Sequence, residues 1–193
     1  MDRPYPVDRG DLPSDIETAR LLLCCLHPES IRSGLLGDRS AIERQLAARV
    51  PADLIRDPAV LKFAAARLAE DQDYLPWSAR AILLKDTREM IGHFRFHSRP
   101  DPDYLNPYAH HAVEFGYVIF PAHRRQGYAF EALTGAMDWA VTHGVRRFVV
   151  TVSPDNAPSL ALVAKAGFRK IGEHIDDEDG LELILLKEDA ADR

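Results

Sequence analysis

Short apolar runs alternate with longer stretches of mixed polarity along the 193-residue chain. Seven runs are rich in leucine, valine, isoleucine or aromatic residues, a composition typical of strands that are buried on at least one face. The predicted strands span residues 18–26, 78–84, 90–97, 112–120, 148–152, 168–175 and 181–187. The run at 112–120 is the most strand-like of them, and Pro121 ends it.

Between these runs, apolar residues recur three or four positions apart, which predicts amphipathic helices. Asp38 or Ser40 is a candidate N-cap, and Gly144 is a residue type that commonly ends a helix. The helices are expected from this cap through residue 49, over 58–70, from Gly127 to Gly144, and over 156–165.

The resulting order is one strand, a helical region, three strands, a helix, a strand, a helix and two strands. Strands joined through a helix imply some parallel pairing, whereas strands joined by tight turns imply antiparallel pairing. We therefore expect an α/β (α+β) fold, a mixed sheet covered by helices. Residues 1–15 are predicted to form a proline-rich arm, and residues 16–193 a single domain.

Composition and charge exclude several classes of protein. There are 30 acidic and 24 basic residues, a net charge of −6 and a pI near 5.7. This balance disfavours a nucleic-acid partner, and no apolar stretch is long enough to predict a membrane span. The first 14 residues lack the apolar segment of a signal peptide. Since adjacent Cys24 and Cys25 would form a strained disulfide, a reducing, cytoplasmic location is expected.

The most informative segment for chemistry is 120–131, where a strand ends at a proline and a basic turn leads directly into a helix. The free N–H groups at a helix start attract anions, and Arg124 and Arg125 add positive charge. Gly127 and Ala129 carry little side-chain bulk, so a phosphate could approach the backbone closely. The alternative is an ordinary strand-to-helix turn with solvated arginines.

This segment resembles a motif of the GNAT N-acetyltransferases, Arg/Gln-x-x-Gly-x-Gly/Ala, here Arg124-x-x-Gly127-x-Ala129. Further similarity to the RimJ/RimL-like branch, the ribosomal-protein N-acetyltransferases, extends over about residues 16–187. The supporting segments are IETARLLL at 16–23, MIGHF at 90–94, EFGYVI at 114–119, GYAFEA at 127–132, NAPS at 156–159 and KAGF at 165–168. The resemblance implies a mostly antiparallel sheet of about seven strands, in which two splayed strands form a coenzyme A cleft.

By similarity, acetyl-CoA is the co-substrate and its acetyl group moves directly to a primary amine in a ternary complex. The resemblance assigns backbone contacts with the pantetheine arm and acetyl group to Tyr117, Val118 and Ile119. It assigns contacts with the coenzyme to Asn156, and the pyrophosphate site to the N–H groups of Arg125, Gln126, Gly127, Tyr128, Ala129 and Phe130.

Glu114 is the preferred base, because it lies beside the expected acetyl position and apolar neighbours could raise its pKa. The alternatives are an outward-facing strand glutamate, or a base at His93 or His97. These histidines share one face of a strand but lack a third ligand, so no metal site is predicted.

Ser159 is the candidate proton donor to the departing thiolate. Many relatives instead use a tyrosine three residues before the Gly-Phe pair, where this chain has Ala164. Because of that departure, a protein that binds coenzyme A with little or no catalysis is the alternative function. The acceptor is left open between a small molecule and a protein N-terminus, and a homodimer is compatible with the sequence.

Overall fold

An eight-stranded mixed sheet forms the centre of the computed structural model, which describes residues 15–176 and 180–189. The strands are β1 (Ile16–Glu17), β2 (Leu21–Cys25), β3 (Arg80–Leu84), β4 (Met90–Phe96), β5 (Ala112–Ile119), β6 (Arg147–Val152), β7 (Arg169–Asp176) and β8 (Gly180–Glu188). The helices are α1 (Pro28–Leu35), α2 (Arg39–Leu46), α3 (Ala52–Arg56), α4 (Ala59–Glu70), α5 (Tyr128–Thr142) and α6 (Ala157–Lys165). Residues 1–14, which make up most of the predicted proline-rich arm, and residues 177–179, between the last two predicted strands, lie outside the described residues.

The strand order is β1-β2-β3-β4-β5-β6-β8-β7, and every neighbouring pair is antiparallel except β5 and β6. The predicted fold class, a mostly antiparallel mixed sheet flanked by helices, is therefore confirmed. The number of strands exceeds the expected seven by one. Ile16 and Glu17 pair with Leu23 and Leu22 as a two-residue edge strand, too short to give a periodic signal.

Helices cover both faces of the sheet. Helix α5 packs through residues such as Leu133 and Ala136 in a core that also contains Leu23 and Phe94. A second core joins helices α1 to α4 to the other face and contains Leu61 and Leu83. Apolar contacts thus enclose the sheet along most of its length. The site forms where two of the strands separate.

The helix predicted to end at residue 49 ends earlier, at Leu46. Its start is as expected, because the Asp38 side chain accepts a 3.0 Å hydrogen bond from the Ala41 N–H. Ala47 then adopts a left-handed conformation, with φ of 47°, and its N–H bonds back to the carbonyl of Arg44. This local C-cap ends the helix, and the helical composition of residues 47–49 gave no sign of it.

Glycine allows β4 and β5 to approach closely at one point. A Cβ atom on Gly92 would lie 2.1 Å from the Val118 carbonyl oxygen, closer than any side chain permits. The pairing of β4 with β5 across Gly92 and Ile119 therefore depends on the absence of a side chain. This contact positions the end of β5, where the site lies.

No helix in the described part of the chain is long and apolar enough to cross a membrane. Cys24 and Cys25 are both buried, and no disulfide joins them.

Candidate active site

The parallel strands β5 and β6 separate after three paired residues. Pairing covers Ala112, Val113 and Glu114, which face residues 147–149. Beyond this point β5 continues beside β4 alone, and β6 continues beside β8. The strands diverge here, as the predicted splayed pair requires, and two cavities adjoin the divergence.

The first cavity, which we call the loop cavity, has a volume of about 520 Å³. Strand β5 contributes Tyr117, Val118 and Ile119 to its wall. The loop and the start of α5 contribute residues 123–125 and 127–130, and α6 contributes Asn156 and Ser159 among others. The structure therefore brings together almost all residues that the sequence assigned to the coenzyme.

Helix α5 presents its first backbone N–H groups to the loop cavity. Its N-cap is Gly127, with φ of 82°, a conformation that disfavours a side chain. No side-chain cap hydrogen bond satisfies the first turn. Because the first N–H groups of a helix have no partner within it, this end of α5 is suited to bind an anion.

Arg20, at the turn between β1 and β2, holds this helix start in place. Its guanidinium donates a 3.1 Å hydrogen bond to the Gln126 carbonyl and a 2.7 Å charged hydrogen bond to Glu131. It also lies over the Tyr128 ring, 4.5 Å from the centroid. Glu131 further accepts hydrogen bonds from the Thr18 hydroxyl and the Arg20 N–H, both of 2.7 Å. These contacts join α5 to the edge of the sheet, and no sequence signal linked Arg20 to the loop.

The two arginines of the loop differ in what they contact. Arg124 donates a 2.9 Å hydrogen bond from Nε to the Ile119 carbonyl, so part of its guanidinium holds the loop to β5. Arg125 is exposed and has φ of 65°. Gln126 differs from its neighbours, because it does not line the loop cavity and contributes its carbonyl to Arg20 instead.

At the start of α6, Asn156 acts as the helix cap. Its side-chain oxygen accepts a 3.2 Å hydrogen bond from the Ser159 N–H. The Tyr117 hydroxyl is buried and makes no hydrogen bond with a described residue. Burial raises the pKa of Tyr117, and the nearby Ser159 side chain offsets part of this effect. The Tyr117 side chain is therefore part of the site, whereas the sequence assigned only its backbone.

The second cavity, which we call the histidine cavity, has a volume of about 590 Å³. His93, His97 and His174 line it, and so do the acidic residues Glu114, Asp176 and Glu182. Tyr117 and Val118 line both cavities. The two cavities thus meet at these residues on β5, next to the point where β5 leaves β6.

Glu114 lies in the wall of the histidine cavity and is only 6% exposed. One carboxylate oxygen accepts a 2.9 Å hydrogen bond from the Thr151 hydroxyl, and the other lies 3.3 Å from Nδ1 of His97. The expectation of a raised pKa is wrong. Burial alone would raise the pKa of Glu114, but the nearby His97, the hydrogen bond from Thr151 and the nearby Tyr104 hydroxyl outweigh burial and lower it.

His93 and His97 both line the histidine cavity, as their spacing on one strand face suggested. Burial, together with the nearby Arg95, lowers the pKa of His93 to about 4. His93 is therefore neutral near pH 7. Among the described residues, no group of three or more histidine, cysteine or acidic side chains is arranged to hold a metal ion.

The two proposed catalytic residues face different cavities. Glu114 lines the histidine cavity and Ser159 the loop cavity, with Tyr117 between them. Sequence reasoning missed Thr151 and Tyr104, the partners of Glu114, because they lie on separate elements with no shared motif. The alternation of His93, Arg95 and His97 along β4 was the one available signal for the cavity wall.

A family model described as an acetyltransferase (GNAT) domain matches residues 34–169. Among curated proteins, the N-acetyltransferase YoaA of Bacillus subtilis, whose name marks it as uncharacterized, is 32% identical over 108 residues, 55% of this chain and 55% of that protein. A second from the same organism, YnaD, is 28% identical over 92 residues, 47% of this chain and 49% of that protein. The chain spans about half the length of the curated relatives it matches.

Solved structures share the fold over nearly the whole chain. The ribosomal-protein-S5-alanine acetyltransferase from Vibrio fischeri has a TM-score of 0.62 at 16% identity, covering 92% of this chain and 97% of that one. RimJ of Mycobacterium smegmatis, in complex with CoA-disulfide, has a TM-score of 0.62 at 20% identity, covering 93% and 89%. At this level of identity they show the fold alone.

The separated strands and the uncapped start of α5 belong to a fold shared with solved acetyltransferases, and the family model covers more than half of the chain. The chain belongs to the GNAT acetyltransferase family. The predicted family is therefore confirmed.

Proposed function

We propose that this protein is an acetyl-CoA-dependent N-acetyltransferase that moves an acetyl group directly to a primary amine within a ternary complex. The observation that carries the proposal is the meeting of two cavities at Tyr117 and Val118. One cavity adjoins an anion-binding helix start, and the other contains carboxylates and histidines. A donor and an acceptor can thus approach each other at these two residues of β5.

The loop cavity fits the coenzyme. Its pyrophosphate needs several N–H donors, and the uncapped start of α5 offers them beside Arg125. Gly127 keeps that backbone accessible, and Arg20 holds it in position. When bound, acetyl-CoA supplies an activated thioester. Tyr117, Val118 and Ile119 are proposed to orient its arm through their backbone, and the backbone near Val118 to stabilise the oxyanion.

The histidine cavity is proposed to hold the acceptor amine. Its lining includes three carboxylates, Glu114, Asp176 and Glu182, against one arginine, Arg95. A protonated amine is attracted by this excess of negative charge. A protonated amine is not a nucleophile, so it must lose a proton before it attacks. The Glu114–His97 pair is positioned in the cavity wall to take that proton.

The departing thiolate requires a proton in turn. Ser159 is proposed to supply it, supported by its position in the loop cavity and by the nearby Tyr117 hydroxyl. Tyr117 keeps its proton near neutral pH because its pKa is raised. The free thiols of Cys24 and Cys25 suit the reducing conditions of the cytoplasm, where we place the reaction.

The test has two parts. Acetyl-CoA binding is measured by calorimetry, and turnover is screened against pooled primary amines, including small diamines and peptides with free N-termini. Products are detected by a mass increase of one acetyl group, and thiol release is measured in parallel. Acetylated product in at least one pool supports the proposal. Tight acetyl-CoA binding without turnover in any pool indicates a coenzyme-binding protein instead.

A further inference from the structure

The imidazole of His97 is held against Glu114 at two points. His97 directly follows β4, and its backbone N–H donates a 2.8 Å hydrogen bond to the Glu114 carbonyl oxygen. Its Nδ1 lies 3.3 Å from a carboxylate oxygen of the same glutamate. The Phe63 ring of α4 packs against the imidazole, with the centroids 5.5 Å apart. The ring orientation is therefore determined by its neighbours.

The carboxylate of Glu114 is poorly suited to accept a proton itself. It receives a hydrogen bond from Thr151, and its pKa is lowered. An ionised carboxylate only accepts hydrogen bonds, so its position 3.3 Å from Nδ1 of His97 favours a proton on that nitrogen. In the neutral imidazole the lone pair then lies on Nε2.

Nε2 of His97 is buried and has no hydrogen-bond partner among the described residues. It lies beside Gly116, where an added Cβ atom would approach it to 3.1 Å. The absence of a side chain at Gly116 leaves room next to this nitrogen. Both residues line the histidine cavity, so Nε2 lies in its wall, beside the space that a bound molecule would occupy.

Charged and titratable groups surround His97 on several elements. Arg95 and His93 lie on the same face of β4, Glu114 on β5 and Tyr104 in the loop before β5. On α4, the Arg67 guanidinium lies over the Phe63 ring, 5.6 Å from its centroid. Among these groups, the carboxylate of Glu114 is in direct contact with the imidazole, 3.3 Å from Nδ1.

We propose that Nε2 of His97 accepts the proton of the attacking amine and that Glu114 is a positioning residue, which fixes the tautomer. This inference rests on the proposed acetyl transfer. The ammonium loses one proton to Nε2, and its lone pair forms the new N–C bond as the C–S bond breaks. The second proton passes from nitrogen to sulfur by way of Ser159. Protonated His97 then returns its proton to solvent.

The tautomer can be measured without an acceptor. In protein labelled with ¹⁵N at histidine, long-range ¹H–¹⁵N spectra distinguish a protonated from an unprotonated ring nitrogen, and His97→Gln identifies the signals. We expect the neutral ring to carry its proton on Nδ1. In Glu114→Gln this preference is lost, because the amide can donate to Nδ1 instead. A proton on Nε2 in the native protein overturns the proposal.

Kinetics with an acceptor found in the amine screen provide the second test. His97→Gln is expected to lower kcat on the order of 100-fold while leaving the affinity for acetyl-CoA unchanged. In Glu114→Gln we expect kcat to fall as well, and this fall should accompany the loss of the Nδ1 tautomer in the ¹⁵N spectra. A merely structural role of Glu114 would leave the tautomer unchanged. His143→Gln is the matched control, since His143 is exposed at the far end of α5.

The outcomes separate the two proposals. If His97→Gln keeps full activity and Glu114→Gln loses it, Glu114 is the base and the inference is wrong. If no amine is acetylated by the native protein, the proposed function fails, and the tautomer measurement still decides where the proton on His97 lies.

Discussion

Thr151 on β6 donates a 2.9 Å hydrogen bond to the Glu114 carboxylate on β5. The backbone pairing of these strands ends at Glu114 and Val149, two residues before Thr151. This side-chain contact therefore joins the strands just beyond the last paired residues. It also fixes the carboxylate at the point where the two cavities approach each other.

The stability supplied by Glu114 should depend on pH. Its pKa is lower in the folded protein than its ordinary value of 4.5, so its contribution is fully present above that value and is lost as pH falls through the folded pKa. Urea unfolding of the native protein and of Glu114→Gln measures the difference between their free energies of unfolding at each pH. We expect the native protein to be more stable at pH 7, and the difference to shrink below about pH 4.5.

Thr151→Val provides a companion measurement, because valine keeps the shape of the side chain and removes the donor. Loss of a hydrogen bond to a charged, buried group should cost about 1–3 kcal/mol at pH 7. The cost should be smaller in the Glu114→Gln background, where no charge is present. Equal costs in both backgrounds would mean that Thr151 does not stabilise the ionised carboxylate.

Substitution at Gly127 should separate backbone strain from loss of coenzyme binding. Gly127 and Gly144, at opposite ends of α5, have similar φ angles of 82° and 87°. Valine at either position should cost roughly 1–2 kcal/mol of stability, because it is strained in this conformation. Calorimetry should show weakened acetyl-CoA binding only for Gly127→Val, since only Gly127 lines the loop cavity. Comparable weakening in Gly144→Val would attribute the effect to strain in α5.

Local sequence signals predicted the elements that carry the site. Strand β5 was found because residues 112–119 form an apolar run that ends at a proline, and the start of α5 because a glycine precedes a helical repeat. Both signals arise within about ten consecutive residues. The resemblance then assigned the coenzyme contacts of this segment, and most of them line one cavity.

The environment of Glu114 could not be predicted in the same way. Its partners, at positions 97, 104 and 151, lie on three separate elements and meet only because β4, β5 and β6 are adjacent. The apolar neighbours of Glu114 in sequence suggested a raised pKa, but alternate strand residues point to opposite faces. The side chain therefore meets polar groups from other strands rather than its own neighbours.

The hydroxyl groups of Tyr117 and Ser159 should affect the chemical step more than coenzyme binding. They lie near each other at the loop cavity, where the proposed thiolate leaves. We expect Ser159→Ala to lower kcat about 10- to 100-fold with little change in the KM for acetyl-CoA, and Tyr117→Phe to act in the same direction. The double variant should lose little more than the worse single variant if they act as one unit. Strictly additive losses would show that the two hydroxyl groups work independently.

The charge of the histidine cavity should select among acceptors. Glu182 is largely buried in its wall, 4.0 Å from His174 on the neighbouring strand. In Glu182→Gln we expect the KM for a cationic amine to rise about two- to fivefold, consistent with a partly exposed ion pair worth up to about 1 kcal/mol. The difference in KM between the native protein and Glu182→Gln should decrease at high salt, which screens such interactions.

Glu188→Gln is the control on the same strand, since Glu188 pairs with Arg147 and Arg169 outside the cavity. An equal rise in both variants, or a rise for neutral amines as well, would exclude a specific attraction of cationic acceptors by Glu182.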